Sequence, residues 1–470
     1  MINRFNRLTS KEWLPFQKSW FKYQSDHQLY KDNLRFFCKA DECDDAVFYF
    51  GNQRQLLDQV GIEQKITITE SSKNSLQFAL LDLRDKVASC NQLSDYLALR
   101  EQIIQILTEV YQSLLHRRFI CVFIPNRTMN EKYWPYAWDM AMQLASIFSL
   151  KDEKIACWPS SNLHDNTSGH EIFYCLYFRK DEHSNGLYEE AKHHFFDDNN
   201  RVGPMNFNIP SWFILKPAPR KKNEILHPAK YPESLVTMFL SVFTNEGDNV
   251  FDPMSGTGST QVAALKSDRN AFGTELSEFF ANIAHDRCKE ITEPSIPTFF
   301  DVKHNWQFRI INKDAREIGE GDFPTLDYVI TSPPYWDMLN MKGAENQAKR
   351  LEKGLQTNYS EDKQDLGNIA DYQQFLDDLA AVYFNILKLM KPGAMMTIVV
   401  KNIKKKGTNY PFAWDLTSVL MQKMQLLPEV FWCQDDINLA PYGYGNTFVS
   451  NTFHQYCLTF RKPVSQDLKV

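Results

Sequence analysis

Apolar positions along the chain follow two patterns. Dense runs such as Phe119–Ile124, Asp327–Thr331 and Ala394–Val400 are short and rich in β-branched and aromatic residues, which predicts buried strands. Between them lie longer stretches with apolar residues at helical spacing, as after Asp95-Tyr96 and after Asp371-Tyr372. From about residue 204 to the end the two patterns alternate, which predicts a parallel sheet flanked by helices. Residues 183–203 are polar and turn-rich and read as a linker. No apolar run is long enough to cross a bilayer. The opening segment, Met1 to Trp20, is broken by charges and has no hydrophobic stretch of the kind a secretory signal needs, so the expected location is cytoplasmic.

The pattern also repeats. Asp95-Tyr96, a helix-like stretch, the run Phe119–Ile124 and Tyr136-Ala-Trp-Asp139 recur in order as Asp371-Tyr372, a helix-like stretch, the run Met396–Val400 and Phe412-Ala-Trp-Asp415. The offset is 276 residues at the first and last of these anchors, and again at Cys157 and Cys433. Tyr174-Cys-Leu-Tyr-Phe-Arg-Lys180 then matches Tyr456-Cys-Leu-Thr-Phe-Arg-Lys462 at an offset of 282, the change falling in a polar loop where insertions cost little. An ordered series of matches at a nearly fixed offset indicates duplication. The two regions are unequal, because residues 1–200 hold only four of the 18 glycines and no glycine-rich loop.

Length and composition narrow the picture. A chain of 470 residues predicts two domains. With 43% hydrophobic and 23% charged residues it is neither collagen-like nor disordered. A formal net charge of −6 means that any contact with nucleic acid is local rather than spread over the surface. The nine cysteines are scattered without CxxC pairs, which reads as reduced thiols with no metal site.

Two motifs carry chemistry. In Asn249-Val-Phe-Asp-Pro-Met-Ser-Gly-Thr-Gly-Ser-Thr260 a strand ends at Asp252, and Gly256 and Gly258 allow a sharp turn and close approach to a ligand before a helix begins near Thr260. Phe272-Gly-Thr-Glu275 follows as a second strand ending in an acid that can hold a ribose diol, so the pair reads as a nucleoside site, and no GKS or GKT makes it a P-loop. In Asp327-Tyr-Val-Ile-Thr-Ser-Pro-Pro-Tyr-Trp336 a strand runs into a Pro-Pro turn. That turn removes two backbone donors and fixes two φ angles, leaving carbonyl oxygens as aimed acceptors, while Tyr335 offers a flat face for stacking.

Together, DPMSGTGST and TSPPYW resemble the S-adenosylmethionine-dependent DNA amino-methyltransferases, which methylate exocyclic amines of cytosine or adenine. His227-Pro-Ala-Lys-Tyr-Pro-Glu233 resembles the segment that in this family precedes the cofactor strand. The resemblance implies an α/β fold with a Rossmann-like methyltransferase domain at 204–470. It also implies S-adenosyl-L-methionine as cofactor, double-stranded DNA as partner and a restriction or defence setting with a partner protein. Residue by residue, His227, Ala229, Tyr231, Asp252, Met254, Gly256, Gly258, Thr260, Glu275 and Asp314 would line the cofactor, with Glu275 on the ribose and Asp314 on the adenine. Met254 stands where the family usually has Phe. Ser332, Pro333, Pro334 and Tyr335 would form the target-amine pocket. The Ser332 hydroxyl and the Pro333 carbonyl would accept the two amine N–H bonds, with Tyr335 stacked on an extruded base. Serine at 332 tilts the expected target to the N4 amine of cytosine over adenine N6. RNA methylation and a non-catalytic nucleic-acid-binding scaffold are the alternatives.

The departure from the family is in chain order. The cofactor motif precedes the Pro-Pro turn, and only eight residues follow Lys462, so a C-terminal recognition region has no room. At an offset of 282 the counterpart of Thr331–Trp336 would be Tyr49-Phe-Gly-Asn-Gln-Arg54, without the Pro-Pro turn. Residues 1–203 therefore read as a degenerate half-domain of the same kind, serving DNA recognition or structure. The basic groups His116–Arg118, Arg220–Lys222 and Lys404–Lys406 read as phosphate contacts or solvated loops. Met341–Gly367 reads as a closing segment or a surface insertion, and Ala440–Asn446 as a DNA-contacting loop or a wide turn.

Overall fold

The computed structural model describes residues 6, 8–39, 45–130, 132–159, 167–181, 195–196, 207–216, 231–293, 306–336, 365–405, 407–435, 439 and 451–464. They form two large sheets and two small two-stranded ones. In the first unit the strands are β1 (Trp20–Lys22), β2 (Ala46–Phe50), β3 (Ile68–Thr69), β4 (Leu76–Asp82), β5 (Leu114–Ile124), β6 (Ser149–Trp158), β7 (Ser168–Gly169) and β8 (Glu171–Arg179). Its main helices are α1 (Asp26–Phe37), α2 (Arg54–Gln64), α3 (Leu93–Ser113) and α4 (Tyr136–Ala145). In the second unit the strands are β9 (Trp212–Ile214), β10 (Asn249–Asp252), β11 (Asn270–Glu275), β12 (Phe308–Asn312), β13 (Leu326–Thr331), β14 (Met390–Val400), β15 (Gln425–Leu426), β16 (Val430–Cys433) and β17 (His454–Arg461). Its main helices are α5 (Glu233–Phe243), α6 (Ser259–Lys266), α7 (Glu278–Thr292), α8 (Tyr372–Leu389) and α9 (Phe412–Leu420).

The first sheet runs β1-β6-β8-β5-β4-β2-β3, and the second β12-β11-β10-β13-β14-β17-β16-β9-β7 with β15 on β17. The strands from β12 to β14 are parallel neighbours, and β17 returns antiparallel. This is the α/β methyltransferase fold. Side-chain periodicity explains why the repeated helices form and where they face. On α3, Leu99, Ile103, Leu107 and Val110 are buried, and on α8 the buried Phe375, Leu379, Tyr383 and Ile386 stand 276 residues later, one for one. Asp371 starts α8 by accepting the Gln374 N–H with its side chain. Among the described residues no helix is long and apolar enough to cross a membrane.

Strand register aligns the two units with each other. β4 pairs with β5 through Phe78↔Phe119 and Leu81↔Val122, and β13 pairs with β14 through Tyr328↔Met395 and Thr331↔Ile398. Thr331 therefore stands where Leu81 stands, and Ser332 where Asp82 stands. β2 pairs with β4 through Val47↔Phe78, and β10 with β13 through Val250↔Tyr328, so Tyr49 takes the place of Asp252 rather than of the Pro-Pro turn. Among the described residues the first unit keeps the order of the seven strands from β9 to β11 of the second and has no counterpart of α7 or β12. The offset of 282 misaligned it because the two units differ in length on both sides of β4.

The units meet as an isologous pair, each presenting the same surface to the other. Asn126 donates to the Glu429 carboxylate at 3.0 Å, and its counterpart Asn402 donates to Glu153 at 2.7 Å. Tyr174 donates to Glu429 at 3.0 Å and Tyr456 to Glu153 at 2.7 Å. The indole N–H groups of Trp138 and Trp414 reach the hydroxyls of Tyr174 and Tyr456 at 2.9 and 3.0 Å. On the pseudo-twofold itself Trp138 stacks on Trp414, and the Cys157 and Cys433 sulfurs lie 3.9 Å apart. None of the eight described cysteines is in a disulfide, and all are buried. Asn402 also caps α9 by accepting the Ala413 N–H at 2.9 Å. Asn402→Ala takes one donor from a buried carboxylate and the acceptor from a helix N–H, and should cost about 2–4 kcal/mol. Denaturant unfolding of Asn402→Ala and its mirror Asn126→Ala checks this, and both should destabilise the chain as one cooperative unit.

Candidate functional site

The site lies where the second sheet changes direction. β10 and β13 are adjacent parallel strands, with β11 and β12 laid down on one side and β14 and β17 on the other. In such sheets ligands sit at the carboxyl ends of the strands flanking that point. The loop after β10 and the turn after β13 are both there.

Backbone conformation and close packing shape the loop. Gly258, at φ +77°, begins α6, and a Cβ on it would lie 2.8 Å from the Ala284 Cβ of α7. A Cβ on Gly273 of β11 would lie 2.2 Å from the Ser255 hydroxyl, so this glycine lets the loop rest on the neighbouring strand. Gly273 was not singled out in the sequence, where it reads as an ordinary strand residue. Gly256 also has positive φ and donates its N–H to the Glu275 carboxylate at 2.8 Å.

Asp252 is buried beneath the loop and acts as its organiser. It accepts from the Met254 N–H at 3.0 Å, the Thr331 hydroxyl at 2.7 Å, and the Tyr231 and Thr260 hydroxyls, both at 2.8 Å. Burial raises its pKa, and these donors oppose that rise. Every lone-pair direction of the Asp252 carboxylate is thus already engaged. Through Thr331 the same carboxylate fixes the start of the Pro-Pro turn. Tyr231 and Thr260 are likewise buried, and Met254 packs against the main core.

Glu275, at the end of β11, takes one N–H from Gly256 and one from Ser277 at 2.9 Å. Burial, together with nearby Asp252 and Asp365, pushes its pKa up to about 7. Two N–H bonds leave acceptor capacity for a diol, so the residues present fit a nucleoside. Asp314, at the end of β12, is engaged by Arg316, whose backbone and guanidinium both donate to it. His227 and Ala229 lie outside the described residues, as do Arg220–Lys222, Lys406, residues 341–364 and Ala440–Asn446.

Beside the loop, the Ser332 hydroxyl donates to the Val399 carbonyl at 2.9 Å. The Tyr335 hydroxyl donates to Gln455 at 3.0 Å and lies 3.3 Å from Ser332, and burial pushes its pKa up to about 12. Pro333 is buried and Pro334 partly so. Trp336 takes φ +49°, a conformation rare for a bulky residue, and packs edge-on against Tyr372 and Tyr410. Tyr383 of α8 is buried, its ionisation opposed by burial and by Asp252 and Tyr335, and its hydroxyl has no partner among the described residues. Among the described residues no group of histidines, cysteines and carboxylates is placed to hold a metal.

The first unit serves as an internal control. It has Tyr49 for Asp252, Asp82 for Ser332, Leu107 for Tyr383, Pro125 for Lys401 and Phe173 for Gln455. The interface residues Asn126, Trp138, Glu153 and Tyr174 keep the same types as their counterparts. At the place of the Pro-Pro turn, Arg84 is bound by Asp82 and by Asp26 at 2.6 Å, with its guanidinium 4.7 Å over the Phe173 ring. Arg84 of the first unit thus stands where the second has its Pro-Pro turn.

The DNA methylase family of N6/N4 type matches residues 49–286, and the chain belongs to that family. Its members take a methyl group from S-adenosylmethionine. The match runs from β2 of the first unit into α7 of the second. The orphan methyltransferase M.BamHII of Bacillus amyloliquefaciens is 43% identical over 63 residues, 13% of this chain and 24% of its own length. The type II methyltransferase M.BglI of Bacillus subtilis is 29% identical over 116 residues, 25% of this chain and 28% of its own. The chain thus spans about a quarter of these relatives. Among solved structures, the N-methyltransferase NodS of Bradyrhizobium japonicum, in complex with S-adenosyl-L-homocysteine, is 10% identical at a TM-score of 0.30, covering 49% of this chain and 86% of its own.

Proposed function

We propose that this chain methylates DNA at the exocyclic N4 amine of cytosine. One active centre, in the second unit, takes the methyl group from S-adenosylmethionine. The observation that carries this reading is the state of Ser332. Its O–H is donated to Val399, so the oxygen turns its lone pairs outward as acceptors. An aromatic amine is a poor nucleophile because its lone pair is delocalised into the ring. Ser332 and the Pro333 carbonyl accept its two N–H bonds and aim that lone pair at the methyl group. The sulfonium of the cofactor supplies an already activated methyl, so the protein contributes mainly alignment. Asp252 couples the two halves of the site, holding Thr331 on the amine side and the Met254 N–H and Thr260 on the cofactor side. Glu275 accepts the ribose hydroxyls.

Adenine N6 is the competing target, and nucleoside mass spectrometry after methyl transfer to unmethylated genomic DNA separates the two. N4-methylcytosine is expected. N6-methyladenine would overturn the reading of Ser332, and methylation of RNA alone would overturn the polymer.

A pH dependence follows from Glu275. Its folded pKa lies above the ordinary 4.5, so the ligand-free protein is stabilised by this group at low pH and loses that stability as pH rises from about 4.5 to about 7. Cofactor binding has the opposite sign, because the ionised form accepts the diol. Affinity should rise by up to about ten-fold per pH unit below 7 and level off above it. In Glu275→Gln the slope should vanish, as calorimetry between pH 5.5 and 8 would register.

A further inference from the structure

Lysines enclosed by this fold are met by oxygen. Lys154 donates to the Phe16 carbonyl at 2.6 Å, Lys180 and Lys462 to pairs of main-chain carbonyls, and Lys404 to the Asp152 carboxylate. Lys401 is half-buried, and its surroundings differ. Burial depresses its pKa, yet among the described residues no carboxylate or carbonyl receives its ammonium. Its contact is the Tyr335 ring, with Nζ 5.2 Å from the centroid.

Position makes this informative. Lys401 follows β14 directly. On one side is Ser332, held by Val399, and on the other is Gln455, next to Tyr456, the strand partner of Val400. The loop after β10 and Glu275 lie across β13, on the far side of the turn from Lys401. The first unit has Pro125 at this place, although the next residue, Asn126, is kept as Asn402. The lysine is therefore dispensable to the fold and to the pseudo-twofold interface. An ammonium at the mouth of a binding turn with no protein oxygen on it is placed to donate to an oxygen that the substrate supplies.

We propose that Lys401 donates a hydrogen bond to an oxygen of the extruded target nucleotide, its phosphate or a carbonyl of its base, and so holds the base against Tyr335. This rests on reading residues 332–335 as the target-amine turn. It also shifts the phosphate-contact expectation from Lys404 and Lys405, which are engaged by Asp152 and by the Trp336 ring, to a residue outside that run.

The test compares wild type, Lys401→Met and Lys401→Arg on a mapped DNA site. Lys401→Met should lose about ten- to a hundred-fold in kcat/KM for DNA, the scale of one charge-assisted hydrogen bond, and Lys401→Arg should recover most of it. Fluorescence of 2-aminopurine at the target position should report less extrusion in Lys401→Met. Cofactor affinity by calorimetry should stay within about two-fold in both variants, which also shows that they are folded. If Lys401→Met does not fold, Lys401→Gln is read the same way. A phosphate acceptor lowers the slope of log Kd against log salt by about one, whereas a base carbonyl leaves the slope and lowers kcat. Unchanged kcat/KM and extrusion in Lys401→Met would overturn the inference, as would loss of cofactor affinity in step with activity. If wild type transfers methyl to DNA and Lys401→Met matches it, this inference alone fails. If wild type transfers none, the reading of the turn fails with it.

Discussion

Ser332→Ala should lower the rate of methyl transfer by about two to three orders of magnitude, the usual cost of removing one aimed polar group from a reacting centre. The alanine has no lone pair for the amine, and it leaves the Val399 carbonyl without its donor. Among the described residues the Ser332 side chain bonds to Val399 and lies near Tyr335 and does not bond to the loop after β10, so cofactor affinity should hold within about two-fold. Ser332→Asp restores an acceptor and should recover part of the rate. Single-turnover rates at saturating DNA, beside calorimetry of cofactor binding, measure both quantities. A rate for Ser332→Ala within ten-fold of wild type would show that the amine is held by other groups.

Asp252→Ala should have the largest effect on the whole molecule. It removes one acceptor from four donors at once: the Met254 N–H and the hydroxyls of Tyr231, Thr260 and Thr331. Buried donors left unsatisfied cost about 1–3 kcal/mol each before relaxation, so a net loss of about 3–5 kcal/mol is expected. For a unit of this size that is roughly 10 °C or more in Tm. Cofactor binding should disappear with it, because the Met254 N–H and Thr331 anchor opposite walls of the site. Asp252→Asn keeps one carbonyl acceptor and should fall between the two. Thermal unfolding and calorimetry on the three proteins decide this, and a cofactor-binding Asp252→Ala at wild-type Tm would contradict the account.

Much of this was legible in the chain. Period and spacing marked α3 and α8, and the glycine-bearing turn and the Pro-Pro turn marked two strand ends before any topology was known. The sequence did not reveal that these ends are neighbours, because β11, α7 and β12 intervene in the chain but not in the sheet. The completeness of the first unit was hidden for a related reason. Its spacing to the second changes wherever α7 and β12 or the segment after Trp336 have no match, so a search at fixed offset aligned Tyr49 with the wrong motif. The four donors gathered on Asp252 were not legible either, because composition shows a residue type and not its burial. Lys401 was overlooked beside the more conspicuous Lys404–Lys406, since only the fold shows which lysines already have an oxygen. Its signal in the sequence was its place directly after the apolar run Ala394–Val400, at a strand's carboxyl end.

The central claim is one active centre, in the second unit, that methylates DNA through residues 332–335. Transfer of a tritiated methyl group from S-adenosylmethionine to unmethylated duplex DNA, with wild type beside Tyr335→Ala, tests it most directly. Wild type should label the DNA, and Tyr335→Ala should retain cofactor binding but lose nearly all label, since the ring that holds the base is gone. Label incorporated equally by both proteins, or absent from DNA with wild type, would contradict the account.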